Sequence, residues 1–143
     1  MNEAAFNILI NPNSRKALQR DGGGLRCLGG TEFFAIEDGV VLLLQESDIS
    51  EEQQREQEVF DTLQLQGLPY FRPSVFTEAL TVISKALMGK PIRSCVELGG
   101  GEGHFASQVQ HHFPEAQSYV CDLSIASLKR TEERLLPVFA DIT

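Results

Sequence analysis

The first third of the chain alternates short apolar pieces with closely spaced turns. Between Phe6 and Leu44 these turns include Asn11-Pro12-Asn13-Ser14 and Asp38-Gly39. Turns this dense leave room only for short strands. The last piece, Val40 to Leu44, is apolar at every position, which predicts a strand covered on both faces.

Two helices are predicted in the middle of the chain. Residues 47–58 are polar and helix-forming, with capping residues at the start and acids in the first turn, so we expect a solvated linker helix without chemistry. A second helix should begin near Ser74 and end at Gly89 and Pro91. Its apolar positions recur every three or four residues and predict one buried face, formed by Phe76, Ala79, Leu80, Ile83 and Leu87.

From Ile92 onward, short apolar runs alternate with helical stretches. The predicted strands are Ser94 to Leu98, Tyr119 to Cys121 and Val138 to Ala140, and the predicted helices are Gly103 to His112 and Ser124 to Leu135. This alternation is typical of parallel strands joined by crossover helices.

A glycine-rich loop, Gly99-Gly100-Gly101-Glu102-Gly103, follows the first of these strands. Its glycines allow a sharp turn into a helix whose free amides point at a bound group. The dinucleotide fingerprint G-x-G-x-x-G needs a small residue where His104 stands, which disfavours a pyrophosphate ligand. No lysine follows the loop, as a P-loop would require.

The loop does satisfy an acid followed by G-x-G-x-G, through Glu97, Gly99, Gly101 and Gly103. This pattern resembles the first motif of class I S-adenosylmethionine-dependent methyltransferases. The resemblance implies that the loop wraps around the amino-acid part of S-adenosylmethionine and that Glu97 helps to hold the site.

Two further acids end the next two strands. Asp122 stands about 25 positions after Glu97, close to the interval expected for a carboxylate that binds ribose hydroxyls. Asp141 ends the third strand, and the resemblance implies that it meets the adenine amino group. Taken singly, each acid is equally well explained as a helix cap or a surface residue. Because each of the two acids ends one of the strands that follow the glycine loop, together they predict a cofactor site at the carboxyl edge of the sheet.

The first segment resembles the small zinc ribbon that precedes some bacterial methyltransferase domains. The four ligand positions would be Asn11, Ser14, Cys27 and Gly30, of which only Cys27 can bind zinc. One thiolate cannot form a tetrahedral structural site, so we predict no metal here and a ribbon held by hydrophobic packing.

The two resemblances together imply an α/β fold in three parts. Residues 1–46 form a small β-rich, ribbon-like segment, and residues 47–91 form a helical linker and the helix before the core. Residues 92–143 form the N-terminal half of a Rossmann-like methyltransferase sheet, with about three parallel strands and their helices. The expected protein is therefore the N-terminal part of a longer methyltransferase, whose acceptor is unknown.

No catalytic residue is assigned, because the family orients the methyl acceptor after a fourth strand that has no counterpart here. The alternative is a truncated, non-catalytic module that acts in dimerisation or partner binding. Its exposed first strand would then be an edge able to pair with a second copy of the chain.

Composition limits the partners and the compartment. A net charge of −8 gives no electrostatic support for binding nucleic acid. The longest apolar run is far short of a membrane span and no signal peptide is evident, so we expect neither membrane insertion nor export. Three cysteines without a C-x-x-C pair suggest reduced thiols in the cytoplasm. The three histidines lack partners at metal-ligand spacing.

Overall fold

The computed structural model describes residues 3–65 and 73–141, and within them the strands form one seven-stranded sheet. The strands are β1 (Leu18–Asp21), β2 (Gly24–Cys27), β3 (Phe33–Glu37), β4 (Val40–Leu42), β5 (Ser94–Leu98), β6 (Gln117–Asp122) and β7 (Leu136–Phe139). The helices are α1 (Glu51–Leu65), α2 (Pro73–Leu87), α3 (His104–His112) and α4 (Ile125–Leu128), with 3-10 turns at Glu3–Ile8 and Glu46–Asp48.

The spatial order of the strands is β1-β2-β3-β4-β7-β6-β5, and the sheet is mixed and curled. The first four strands form an antiparallel meander, in which each strand pairs with the next along the chain. The β4–β7, β7–β6 and β6–β5 pairings are parallel. Strand β5 lies at one end of this order, as expected for the first strand after Ile92.

The predicted fold class is wrong. A Rossmann-like parallel half sheet beside a separate β-rich segment was expected, whereas the chain builds a single mixed sheet whose N-terminal half is antiparallel. The pairing that joins the two halves sets Val41 opposite Val138 and Leu42 opposite Phe139. It gives β7 a second neighbour, so that β7 is not an edge strand of the sheet.

Strand β4 is covered on both faces, as its uninterrupted apolar sequence predicted. Val40 and Val41 are both fully buried, although they point to opposite sides of the sheet. Val40 packs in a cluster that includes Val120 and Phe139, whereas Val41 packs in the other cluster with Leu136. The sheet therefore has an apolar core on each side.

The two predicted middle helices are present as α1 and α2. All five predicted face positions of α2 are half-buried, while Val75 and Val82 on the helix are 53% and 66% exposed. Helix α2 packs on α3, where the rings of Phe76 and Phe105 lie 5.4 Å apart. The Ser84 hydroxyl also lies 3.1 Å from Nε2 of His112.

The predicted helix from Ser124 to Leu135 is wrong in its length. Helix α4 covers only Ile125–Leu128, and Lys129 is its C-cap. The next two amides bond three residues back: Arg130 N–H donates to Ser127 O and Thr131 N–H to Leu128 O. The Thr131 hydroxyl donates to the same Leu128 carbonyl. These tighter bonds replace the α-helical ladder and end the helix after about one turn.

Within residues 3–65 and 73–141, no helix is both long and apolar enough to cross a membrane.

Candidate functional site

The residues predicted to bind a cofactor come together at one edge of the sheet. Because β5, β6 and β7 are parallel, the residues that follow their carboxyl ends share this edge. The glycine loop follows β5, Asp122 is the last residue of β6, and Asp141 lies just beyond β7.

The three glycines of the G-x-G-x-G pattern have left-handed backbone conformations. Their φ angles are 65° at Gly99, 54° at Gly101 and 75° at Gly103. A side chain in this region costs about 1–2 kcal/mol, which explains the spacing of the glycines without reference to a ligand. The N–H of Gly103 donates to Gly100 O at 2.8 Å and closes the turn that leads into α3.

Two glycines of the loop are also required by packing. A Cβ atom at Gly100 would lie 2.7 Å from Cγ1 of Val120, and one at Gly103 would lie 2.7 Å from Cγ2 of the same residue. The loop thus rests directly on the middle of β6. Gly100 stands at an x position of the G-x-G-x-G motif, so the motif did not predict that packing requires glycine there.

Glu97 caps the helix that follows the loop. Its Oε2 accepts the Ala106 N–H at 2.8 Å, while the N-cap residue of α3, Gly103, has no side chain to do so. Burial raises the pKa of the Glu97 carboxyl, and the nearby charge of Asp122 acts in the same direction. The Ala106 N–H and His104 partly counter this rise in pKa.

The Asp122 carboxylate is held by two backbone amides. Its Oδ2 accepts the Gly101 N–H at 2.7 Å, and its Oδ1 accepts the Ser124 N–H at 2.8 Å. The first bond ties the end of β6 to the glycine loop, and the second fixes the start of α4. Asp122 as a whole is half-buried.

Asp141 is exposed and is engaged by the linker helix. Its Oδ2 accepts a hydrogen bond from Nε2 of Gln53, on α1, at 3.1 Å. Helix α1 therefore lies over the carboxyl edge of the sheet. The sequence gave no sign of this contact, because residues 47–58 are mostly polar and show no face that would pack on the sheet.

A cleft of ≈ 300 Å³ lies between α1 and the ends of β6 and β7. Polar side chains of α1 line one side. The apolar side is formed by Ile49, Leu123, Ile125 and Phe139. Apolar walls with a few polar groups are typical of small-molecule sites.

Glu102, in the glycine loop, is held in place by two neighbouring side chains. Its side chain is 25% exposed, and Oε1 accepts from Nε of Arg130 at 2.7 Å. Its other oxygen, Oε2, lies 3.5 Å from Nε2 of His104. Arg130 was not singled out in the sequence, because it lies in the segment predicted to continue α4.

The four ligand positions of the ribbon resemblance lie near one another. Oδ1 of Asn11 accepts the Asn13 and Ser14 amides at 2.8 and 3.0 Å, and the Ser14 hydroxyl lies 3.5 Å from Sγ of Cys27. A Cβ atom at Gly30 would lie 3.5 Å from the same sulfur. Asn11 and Cys27 are buried, and the Ser14 hydroxyl stands beside the single thiol.

Among the described residues, no group of three or more His, Cys, Asp or Glu side chains is placed to hold a metal ion. The three cysteines are free thiols. Burial raises the pKa of Cys95 and Cys121, with Glu97 and Asp122 respectively adding to the rise. Raised pKa values make these thiols poor nucleophiles.

No protein-family model matches the chain, and a search of curated proteins finds no match either.

Proposed function

We propose that the chain binds S-adenosylmethionine at the carboxyl edge of β5, β6 and β7 and belongs to an S-adenosylmethionine-dependent methyltransferase. The observation that carries this proposal is the 2.7 Å bond from the Gly101 N–H to the Asp122 carboxylate. It sets an acid directly beside the glycine turn. A ligand with an amino-acid group and a ribose needs these two features side by side.

The chemistry of the residues fits this ligand. Each oxygen of Asp122 accepts one amide N–H and has a second lone pair with which to accept a ribose hydroxyl. Asp141 already accepts an amide N–H from Gln53, so its carboxylate faces a donor of the kind that an adenine amino group offers.

Bound S-adenosylmethionine supplies an electrophilic methyl group, and transfer from a sulfonium depends mainly on in-line positioning. The residues of this chain bind and orient the cofactor in this proposal. The methyl acceptor and the residues that orient it are not assigned.

The test is calorimetric titration of the chain with S-adenosylmethionine, repeated for Asp122→Asn and for Glu115→Gln. Glu115 is an exposed acid in the turn before β6, so its replacement controls for the lost charge. Saturable heat is expected for the wild type. The Asp122 variant should bind at least about 10-fold more weakly, because Asn removes the charge and replaces one of the two acceptor oxygens with an NH₂ donor. The Glu115 variant should bind like the wild type.

Absence of both heat and thermal shift at millimolar ligand overturns the proposal. Equal weakening in the two variants also counts against it, since it would show a general effect of charge.

A second candidate function, a non-catalytic module that pairs through β5, rests on a different observation. Strand β5 is at the end of the sheet, and Val96 and Leu98 on it are 49% and 62% exposed. An edge strand with exposed apolar side chains favours pairing with another strand. Sedimentation should then show a dimer that Val96→Lys dissociates, whereas a monomer at all concentrations excludes this function.

A further inference from the structure

Helix α1 contributes a half-buried carboxylate to the edge where the cofactor is proposed to bind. Oδ1 of Asp61, on α1, accepts the Ser124 hydroxyl at 2.6 Å and the Ser127 hydroxyl at 3.2 Å. The two serines are 5% and 1% exposed. Bonds to a carboxylate in such a water-poor place are stronger than exposed ones.

Ser124 connects Asp61 to the carboxylate of the proposed site. Its hydroxyl donates to Asp61, while its main-chain N–H donates to Oδ1 of Asp122 at 2.8 Å. The other oxygen of Asp122 accepts the Gly101 N–H. A continuous set of hydrogen bonds therefore runs from the linker helix through the start of α4 to the glycine loop.

A second branch from Asp61 reaches the neighbouring loop residue. Ser127 accepts from Nη2 of Arg130 at 3.3 Å, and Nε of Arg130 donates to Glu102 at 2.7 Å. The two branches thus end on Gly101 and Glu102, which are adjacent in the chain. Asp61 is the point on α1 where both branches meet.

We propose that Asp61 is a positioning residue that fixes the Asp122 carboxylate, through Ser124, in the orientation that binds the ribose of the cofactor. The inference rests on the proposed function. It assigns to α1 a role in ligand recognition that a solvated linker does not have. A residue that only stabilised the fold would weaken binding of every ligand alike.

The experiment compares S-adenosylhomocysteine with its 2′,3′-dideoxy analogue, which lacks both ribose hydroxyls. Binding is measured by calorimetry to wild type, Asp61→Ala, Asp61→Asn and Glu56→Ala. Asn keeps an oxygen that accepts the serine hydroxyls. Glu56 is an exposed acid on the same helix, and its replacement removes the same charge.

The wild type and Glu56→Ala should bind S-adenosylhomocysteine about 10-fold or more tightly than the dideoxy analogue. A factor of this size is expected for a hydrogen bond to a charged group. In Asp61→Ala this preference should fall to about 2- or 3-fold, mainly because the natural ligand binds more weakly. Asp61→Asn should retain most of the preference. If Asp61→Ala weakens both ligands equally, or keeps the full preference, the positioning role is wrong.

Amide hydrogen exchange of the ligand-free protein separates this inference from the proposed function. The Gly101 and Ser124 amides should exchange about 10-fold faster in Asp61→Ala and unchanged in Glu56→Ala, because the carboxylate they bind is loosened. Unchanged exchange in Asp61→Ala overturns the positioning role. Faster exchange in a chain that binds neither ligand overturns the proposed function and, with it, the role in ribose recognition.

Discussion

Replacing three glycines by alanine, one at a time, separates the strain of a left-handed backbone from the overpacking by a new side chain. Gly100 and Gly103 lie in the glycine loop, and Gly29, between β2 and β3, is the reference for strain alone. Gly29 has a φ of 72°, and a Cβ there would meet no atom within 4 Å. Gly100 lies outside the left-handed region, but its Cβ would lie 2.7 Å from Val120 and 2.9 Å from Glu97. Gly103 combines both conditions, with a φ of 75° and a contact of 2.7 Å to Val120.

The expected losses of stability follow from these geometries. Gly29→Ala should cost about 1–2 kcal/mol, the price of a left-handed side chain. Gly100→Ala should cost about 1–3 kcal/mol, because the new methyl group forces Val120 or the anchored Glu97 side chain to move. Gly103→Ala should cost about 2–5 kcal/mol, since backbone strain and overpacking occur together.

Urea denaturation at equilibrium, followed by circular dichroism, gives the free energy of unfolding of each variant. The loss at Gly103 should be close to the sum of the losses at Gly29 and Gly100. If Gly103→Ala is no less stable than Gly29→Ala, the loop does not rest on β6 in the way described. The loss at Gly103 would then lack the contribution from overpacking that Gly100→Ala measures.

Three further predictions concern other parts of the molecule. The pKa of Glu97 is raised in the folded protein, so ionisation of Glu97 opposes folding. The free energy of unfolding should therefore fall as the pH rises from the unfolded-state pKa of Glu97 through its folded-state pKa. In a pH series of denaturation curves, Glu97→Gln should lack this fall. The triple variant N11C/S14C/G30C has four thiols at the ribbon ligand positions, because Cys27 is already present. It should bind one zinc ion per chain in a chelator-competition assay. Val96→Lys should change the free energy of unfolding by no more than about 0.5 kcal/mol, because Val96 is half-exposed on the edge strand.

The outcomes that would contradict these predictions are as specific. An unchanged pH dependence in Glu97→Gln would show that another group controls stability in that range. Failure of the folded triple cysteine variant to take up zinc would mean that the four positions do not converge as the contacts indicate. A large loss of stability in Val96→Lys would place this side chain against a neighbour.

The sequence alone was enough to predict features that depend on neighbouring residues. The apolar run of β4, the half-buried face of α2 and the turn after β5 follow from side-chain periodicity and from backbone conformations that only glycine adopts cheaply. Each of these signals extends over a few residues. The order of the three parallel strands then placed Asp122 and Asp141 at the same edge as the loop.

Only the tertiary structure decided how distant segments combine. An apolar strand indicates that both of its faces are covered, but it does not indicate which strand bonds to its edge, so the β4–β7 pairing and the mixed sheet were missed. Asp61 lies 63 positions from Ser124, and Gln53 lies 88 positions from Asp141. A polar side chain on a helix looks the same in sequence whether it faces water or a buried hydroxyl, and the packing of α1 on the sheet settles the difference.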